Sequence, residues 1–226
     1  PLLSEAVTQF QAQAYKELLP SQGPVRTRVL GVEDDLKVNQ AQRVQDFMNY
    51  MITEEMEEYT PEFDQLLFYL ALAGSAFKKV YYDEGMQRAV SKFIPAEDLV
   101  VPYYATDLTD CERITHVIKM GENEILKKQA AGFYRDVELK PSASGPTQIE
   151  KKYQELEGIT PTAEKQYSFS VLEMHVDCNL EEFEMQNPEK QVKVPYIITI
   201  DEGSGEVLSI YRNYDLNAET KKRKEY

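Results

Sequence analysis

The stretch from Ala76 to Met120, AFKKVYYDEGMQRAVSKFIPAEDLVVPYYATDLTDCERITHVIKM, decides the fold. Two runs with a period of two, AFKKVYY and RAVSKFI, flank Asp83-Glu84-Gly85-Met86, a loop that contains a glycine. That arrangement predicts an antiparallel hairpin. The phrase FIPAEDLVVP then leaves the strand through a turn and starts a short extended piece before Pro102. Arg113 to Met120 is a further strand, with Ile114, His116, Ile118 and Met120 on one face.

Upstream, the period changes from two to helical. Residues 4–19 place Ala6, Val7, Phe10, Ala14 and Leu18 at helical spacing, with Ser4 as N-cap and Pro20 as the stop. Pro24 to Gly31 (PVRTRVLG) reads as an extended arm. A second helix is expected from about Ala41 to Tyr59, with Val44, Phe47, Met48, Met51, Ile52 and Met56 on its apolar face. Glu54, Glu55, Glu57 and Glu58 crowd its C-terminal end, where the helix dipole disfavours negative charge unless a base offsets it. Thr60-Pro61-Glu62 restarts the chain as a third helix, which Gly74 ends. Its core, LLFYLALA, is apolar on all sides and is expected to be buried.

Downstream of the opening stretch, Glu122 to Ala131 reads as a short helix stopped by Gly132. Residues 136–166 are rich in Ser, Pro, Gly and charge and are expected to form a mobile insertion, with one small helix at 148–156. Strands resume at 167–178. A second hairpin joins 193–200 to 206–212 through Asp201-Glu202-Gly203-Ser204-Gly205. Helices gathered at the N-terminus (1–75) followed by a strand-rich part (76–226) predict an α+β fold, mostly antiparallel, rather than a doubly wound sheet.

The chain has 226 residues, 42% of them hydrophobic, enough to pack a sizeable core. No apolar run approaches the length of a membrane-spanning helix, and PLLSEAVTQF is not a signal peptide. The missing initiator Met and the stop inside the charged run KKRKEY suggest a fragment of a longer polypeptide. Cys111 and Cys178 suit a reducing compartment, with a single bridge between them as the open alternative. The net charge of −14 opposes tight, non-specific nucleic-acid binding, which needs Lys and Arg against phosphate.

The chemistry-bearing residues do not assemble into a familiar site. Cys111 and His116, and His175 and Cys178, are the pairs a zinc site would need. Their odd separations put each pair on opposite faces of a strand. The acidic groups Glu33-Asp34-Asp35 and Asp107 to Asp110 lack calcium-loop spacing and read as solvated turns. The Gly203-Ser204-Gly205 turn has no following Lys-Ser/Thr to cradle phosphate. No catalytic, cofactor or metal set is expected. Tyr81, Tyr82, Tyr103 and Tyr104 flank the hairpin and its exit, where tyrosine suits a half-wet interface and equally suits plain strand propensity.

Several phrases occur in an order that resembles the portal (head-to-tail connector) protein of short-tailed tailed bacteriophages. The first is strand, Pro95, Glu97, Asp98, Val100, Val101, Pro102. After ATDLTDCERITH and GENEILKKQ comes a Pro-Tyr strand, Pro195 and Tyr196, leading to Arg212 and Asn213. The resemblance spans most of residues 4–220 except 136–166, and its specificity lies in the joint order.

It implies the wing region of a longer chain, ahead of the stem helices and tunnel loop. It also implies self-association into a ring, usually a dodecamer, at one capsid vertex of the virion, assembled in the host cytoplasm. Implied partners are capsid protein, terminase and tail adaptors, with DNA passing through the channel without tight binding and no membrane involved. Candidate subunit-contact residues are Glu54, Glu55, Glu57, Glu58, Tyr81 and Tyr82. Two other readings compete: a metal-dependent hydrolase using Asp107, Asp110 and His116 or His175, and a general α+β interaction domain.

Overall fold

The computed structural model describes residues 2–83, 85–109, 111–139, 168–180 and 193–215. The chain divides into two compact units, with the boundary between Glu97 and Asp98. It is an α+β protein, with helices and two antiparallel sheets.

The first unit holds three helices and a hairpin. Helix α1 spans Leu2–Leu18 and α2 spans Asp35–Tyr50; α3 spans Tyr59–Ala73. Strands β1 (Ala76–Asp83) and β2 (Arg88–Pro95) pair antiparallel from Ala76 opposite Pro95 to Asp83 opposite Arg88. The hairpin falls where its period of two places it. Its turn is built differently from a glycine-led loop. Asp83 Oδ1 accepts the backbone N–H groups of Gly85 (2.8 Å) and Met86 (3.1 Å), and the left-handed residue is Gln87, at φ 55°. Gly74 ends α3 as expected, at φ 83°, donating its N–H to Leu70 O at 2.9 Å.

Two helices differ from expectation. α2 starts at Asp35, six residues before Ala41, because Asp34 and Asp35 serve the positive end of the helix instead of a free turn. It also stops being α-helical at Tyr50 and passes into a single π-helical turn, Met51–Glu55. The third helix is not enclosed: Leu67 is its one buried residue, while Phe68 and Leu72 stay 39% and 51% exposed. One hairpin and α1 pack on α3, and two neighbours are too few to cover a helix all round. α1 is tied to α3 by Gln11, whose amide donates to Asp64 Oδ1 at 2.7 Å.

The second unit is a five-stranded antiparallel sheet in chain order. Strands β3 (Leu99–Val100), β4 (Arg113–Gly121), β5 (Ser168–Cys178), β6 (Val194–Asp201) and β7 (Val207–Arg212) lie side by side. Helix α4, Glu122–Ala130, follows β4 directly, with Glu122 and Glu124 in its first turn and Lys127 and Lys128 in its last, both matched to the dipole.

Alternation divides the sheet into two faces. Met120, Phe169 and Val171 pack with Ile125 of α4, Tyr134 and Leu208 on one side. Val194 and Tyr196 pack with Tyr214, flanked by Cys178 and Ile198, on the other. The register slips between Thr199 and Ile200, so Leu208 is an extra residue on β7 and turns fully into the core. The insertion expected at 136–166 lies outside the described residues from 140 onward, as does the helix expected at 148–156.

Candidate functional site

The two motif phrases occupy different kinds of place. In the first, Pro95 closes β2, Ala96–Asp98 forms one 3-10 turn, and Val100 belongs to β3 opposite Thr115. Glu97 is exposed, Asp98 half-buried, and the boundary between the compact units passes between them. Pro102 O then accepts the Ala105 N–H at 3.0 Å, turning the chain so that Tyr103 and Tyr104 stand in solvent, 105% and 75% exposed. This phrase is a connection, held by its prolines and one turn.

The second phrase is assembled by sheet pairing. Tyr196 of β6 stands opposite Arg212 of β7, and the Asn213 N–H donates to Pro195 O at 3.0 Å. Tyr196 and Asn213 are fully buried, whereas Arg212 reaches solvent. The Tyr196 ring meets Tyr214 edge-on, with centroids 5.9 Å apart. Burial, and then the neighbouring Tyr214 hydroxyl, push the Tyr196 phenol well above its ordinary ionisation range. Both polar atoms of the Asn213 amide are buried with no hydrogen-bond partner among the described residues.

The acidic group after α2 is less uniform than its sequence. Glu54 and Glu57 are exposed and Glu55 is half-buried. Glu58 is committed within its own unit: its Oε1 lies 2.8 Å from Arg88 Nη1 on β2 and accepts the Ser91 N–H at 3.4 Å. That Arg88 bond holds the Glu58 carboxyl below the usual carboxylate value, and Glu57 and Glu55 lie near enough to reinforce the Arg88 charge. Arg88 is the offsetting base that the crowding of acids requires. Nothing in the spacing of the sequence marks it, since the pairing depends on how the hairpin lies on α3. Tyr81 is half-buried beneath the Lys79 ammonium, and Tyr82 is 57% exposed.

The same hairpin carries a second cation contact. Lys78 Nζ sits 3.7 Å from the centre of the Tyr59 ring and 4.9 Å from that of Phe63, two rings stacked 5.9 Å apart. Burial there lowers the Lys78 pKa.

Of the residues considered for metal or hydrolytic chemistry, the two histidines lie on adjacent strands. His116 stands opposite Glu173, and His175 opposite Ile114, so both histidines share a sheet face. His175 Nε2 is 3.2 Å from Glu173 Oε1. Neither cysteine is in a disulfide: Cys111 is buried and donates its S–H to Asp107 O, and burial raises the Cys178 pKa. Asp107 turns its carboxylate onto the Thr109 N–H at 3.0 Å, and Asp110 lies outside the described residues. Among the described residues, no group of three or more His, Cys, Asp or Glu is placed to hold a metal ion. No described helix is long and apolar enough to cross a membrane.

The remaining distinctive surface is α2 with the arm before it. α2 has no buried residue. The Asn49 side chain clamps the arm by accepting the Val25 N–H (2.9 Å) and donating to Val25 O (3.2 Å). Thr27 adds a bond from its hydroxyl to Ala41 O at 2.9 Å. The arm consequently alternates, with Val25, Thr27 and Val29 half-buried and Arg26, Arg28 and Leu30 exposed. No family model and no curated protein matches this chain.

Proposed function

We propose that this chain is the wing-type peripheral part of a ring-forming portal protein of a short-tailed bacteriophage, a structural component without a catalytic role. In that role it contributes contacts between subunits and to capsid protein at one vertex. The complete ring docks terminase and tail adaptors and lets DNA pass. The observation that carries the reading is the second motif phrase. Its two halves are separated along the chain yet meet through the Asn213 N–H and Pro195 carbonyl across β6 and β7. Tyr196 and Asn213 are buried there, as suits residues that specify architecture.

The acidic balance is compatible with a conduit that DNA crosses without adhering. A closed ring needs head-to-tail contacts between two unlike patches on each subunit. The test is the mass of the assembled natural polypeptide that carries this chain, measured by native mass spectrometry. A single closed multiple near twelve protomers supports the reading, and a monomer or an open-ended ladder of sizes overturns it.

A further inference from the structure

The surface formed by α2 and the arm has every mark of an interface whose other half is absent. A helix of this length is marginal in water unless an apolar face is covered. α2 nevertheless has no buried residue, and no side-chain bond caps its N-terminus. Val44, Phe47 and Met48 follow one another at i, i+3 and i+4, so they form one stripe, and they are 45%, 59% and 42% exposed. The stripe lies beside the face of Ala41, Gln45 and Asn49, which the arm occupies.

Charge of both signs borders the stripe. The outward side of the arm presents Arg26 and Arg28, two residues apart in an extended segment and so on one side. Beyond the C-terminal end of α2 stand Glu54 and Glu57, both exposed, in a group whose Glu58 is already taken by Arg88.

We infer that this surface is covered by a second copy of the same chain, the Arg26/Arg28 edge of one copy meeting the Glu54/Glu57 end of the next while Val44, Phe47 and Met48 are buried between them. The commitment to a second copy rests on charge. A surface of uniformly basic charge would be repelled by Arg26 and Arg28, and one of uniformly acidic charge, nucleic acid included, by Glu54 and Glu57. Another copy brings both complements at once. Paired both ways about a two-fold axis, this contact closes a dimer; paired one way only, it runs head-to-tail and can close a ring. It deepens the ring reading by naming one of its contacts, and it also stands if the closed assembly is something other than a portal.

The test is sedimentation velocity on the 226-residue chain, with far-UV circular dichroism to verify helix content. The unaltered chain self-associates with rising concentration. Phe47→Asp weakens that by about tenfold or more, the scale of losing one buried aromatic anchor. Arg26→Glu/Arg28→Glu and Glu54→Lys/Glu57→Lys each sediment as monomers, and mixing the two restores association, because both junctions between unlike copies are then matched. An unaltered chain that stays monomeric at its highest soluble concentration overturns the inference, as do reversed variants that associate undiminished. Protection of α2 from hydrogen exchange in a monomer would identify a segment of the same chain as the cover and also overturn it. If the natural polypeptide forms rings regardless of these substitutions, this surface fails and the ring reading stands. If these substitutions dissolve a discrete dimer, the surface stands and the ring reading fails.

Discussion

The Glu62 carboxylate accepts the backbone N–H of Phe93 at 2.7 Å, so a helix side chain completes the outer edge of a strand. Glu58 does the same for Ser91, two residues back on β2. The spacings match: four helical residues rise about 6 Å and two strand residues span about 6.6 Å. A two-stranded hairpin leaves an unpaired edge open to adventitious pairing, and here two carboxylates occupy it. Glu62→Ala leaves the Phe93 N–H without its acceptor and is expected to cost about 1–2 kcal/mol. It also speeds hydrogen exchange at Phe93 while leaving amides in the five-stranded sheet unchanged, which exchange monitored by NMR would resolve.

The Glu58–Arg88 pair makes stability depend on pH. Glu58 titrates below its ordinary value of 4.5, chiefly through its bond to Arg88. Its stabilisation is therefore fully present above that ordinary value and is lost as pH falls through the lowered native value. Glu58→Gln is expected to lower the first unit's unfolding midpoint at neutral pH, and the gap to the unaltered chain is expected to close on acidification. A gap that persists after both native and unfolded carboxyls are protonated contradicts the assignment.

Asn49 clamps the arm, and Gly23 makes room for it. Gly23 lies at φ 93°, and a Cβ there would come within 2.4 Å of Asn49 Cγ. Gly23→Ala therefore carries both left-handed strain, about 1–2 kcal/mol, and a clash. Asn49→Ala removes two hydrogen bonds and is expected to cost about 1–2 kcal/mol and to expose residues 24–30 to proteolysis. Combining them relieves the clash but not the strain, so the double variant loses less than the sum of the two. Strict additivity in denaturant melts would show that the arm does not pack on Asn49.

The one-sided packing of α3 is tested by comparing two leucines. Leu67 is 3% exposed and Leu72 is 51% exposed. Leu67→Ala is expected to cost about 2–5 kcal/mol, and Leu72→Ala less than about 1 kcal/mol. Equal losses in thermal melts would restore the enclosed helix that the apolar run suggests.

That run shows where the sequence stops informing. LLFYLALA declares a helix and Gly74 its end, but enclosure depends on its neighbours, and among the described residues it is chiefly the hairpin and α1 that pack on α3. Period and turn residues made β1, β2, β4, α4 and the β6–β7 hairpin legible within a residue or two. The start of α2 was hidden because its first turn carries Leu36 and Val38 in solvent, which breaks the apolar period. The approach of Asn213 to Pro195 depends on the register beyond the slip at Thr199, and Arg88 meets Glu58 only through the lie of the hairpin on α3. Neither contact is encoded in local spacing.

Negative-stain electron microscopy of the natural polypeptide that carries this chain tests the central claim most directly. The account predicts closed rings with a central channel and one rotational symmetry in the class averages. Uniform monomers or dimers, with no annular particles at any concentration, would contradict it.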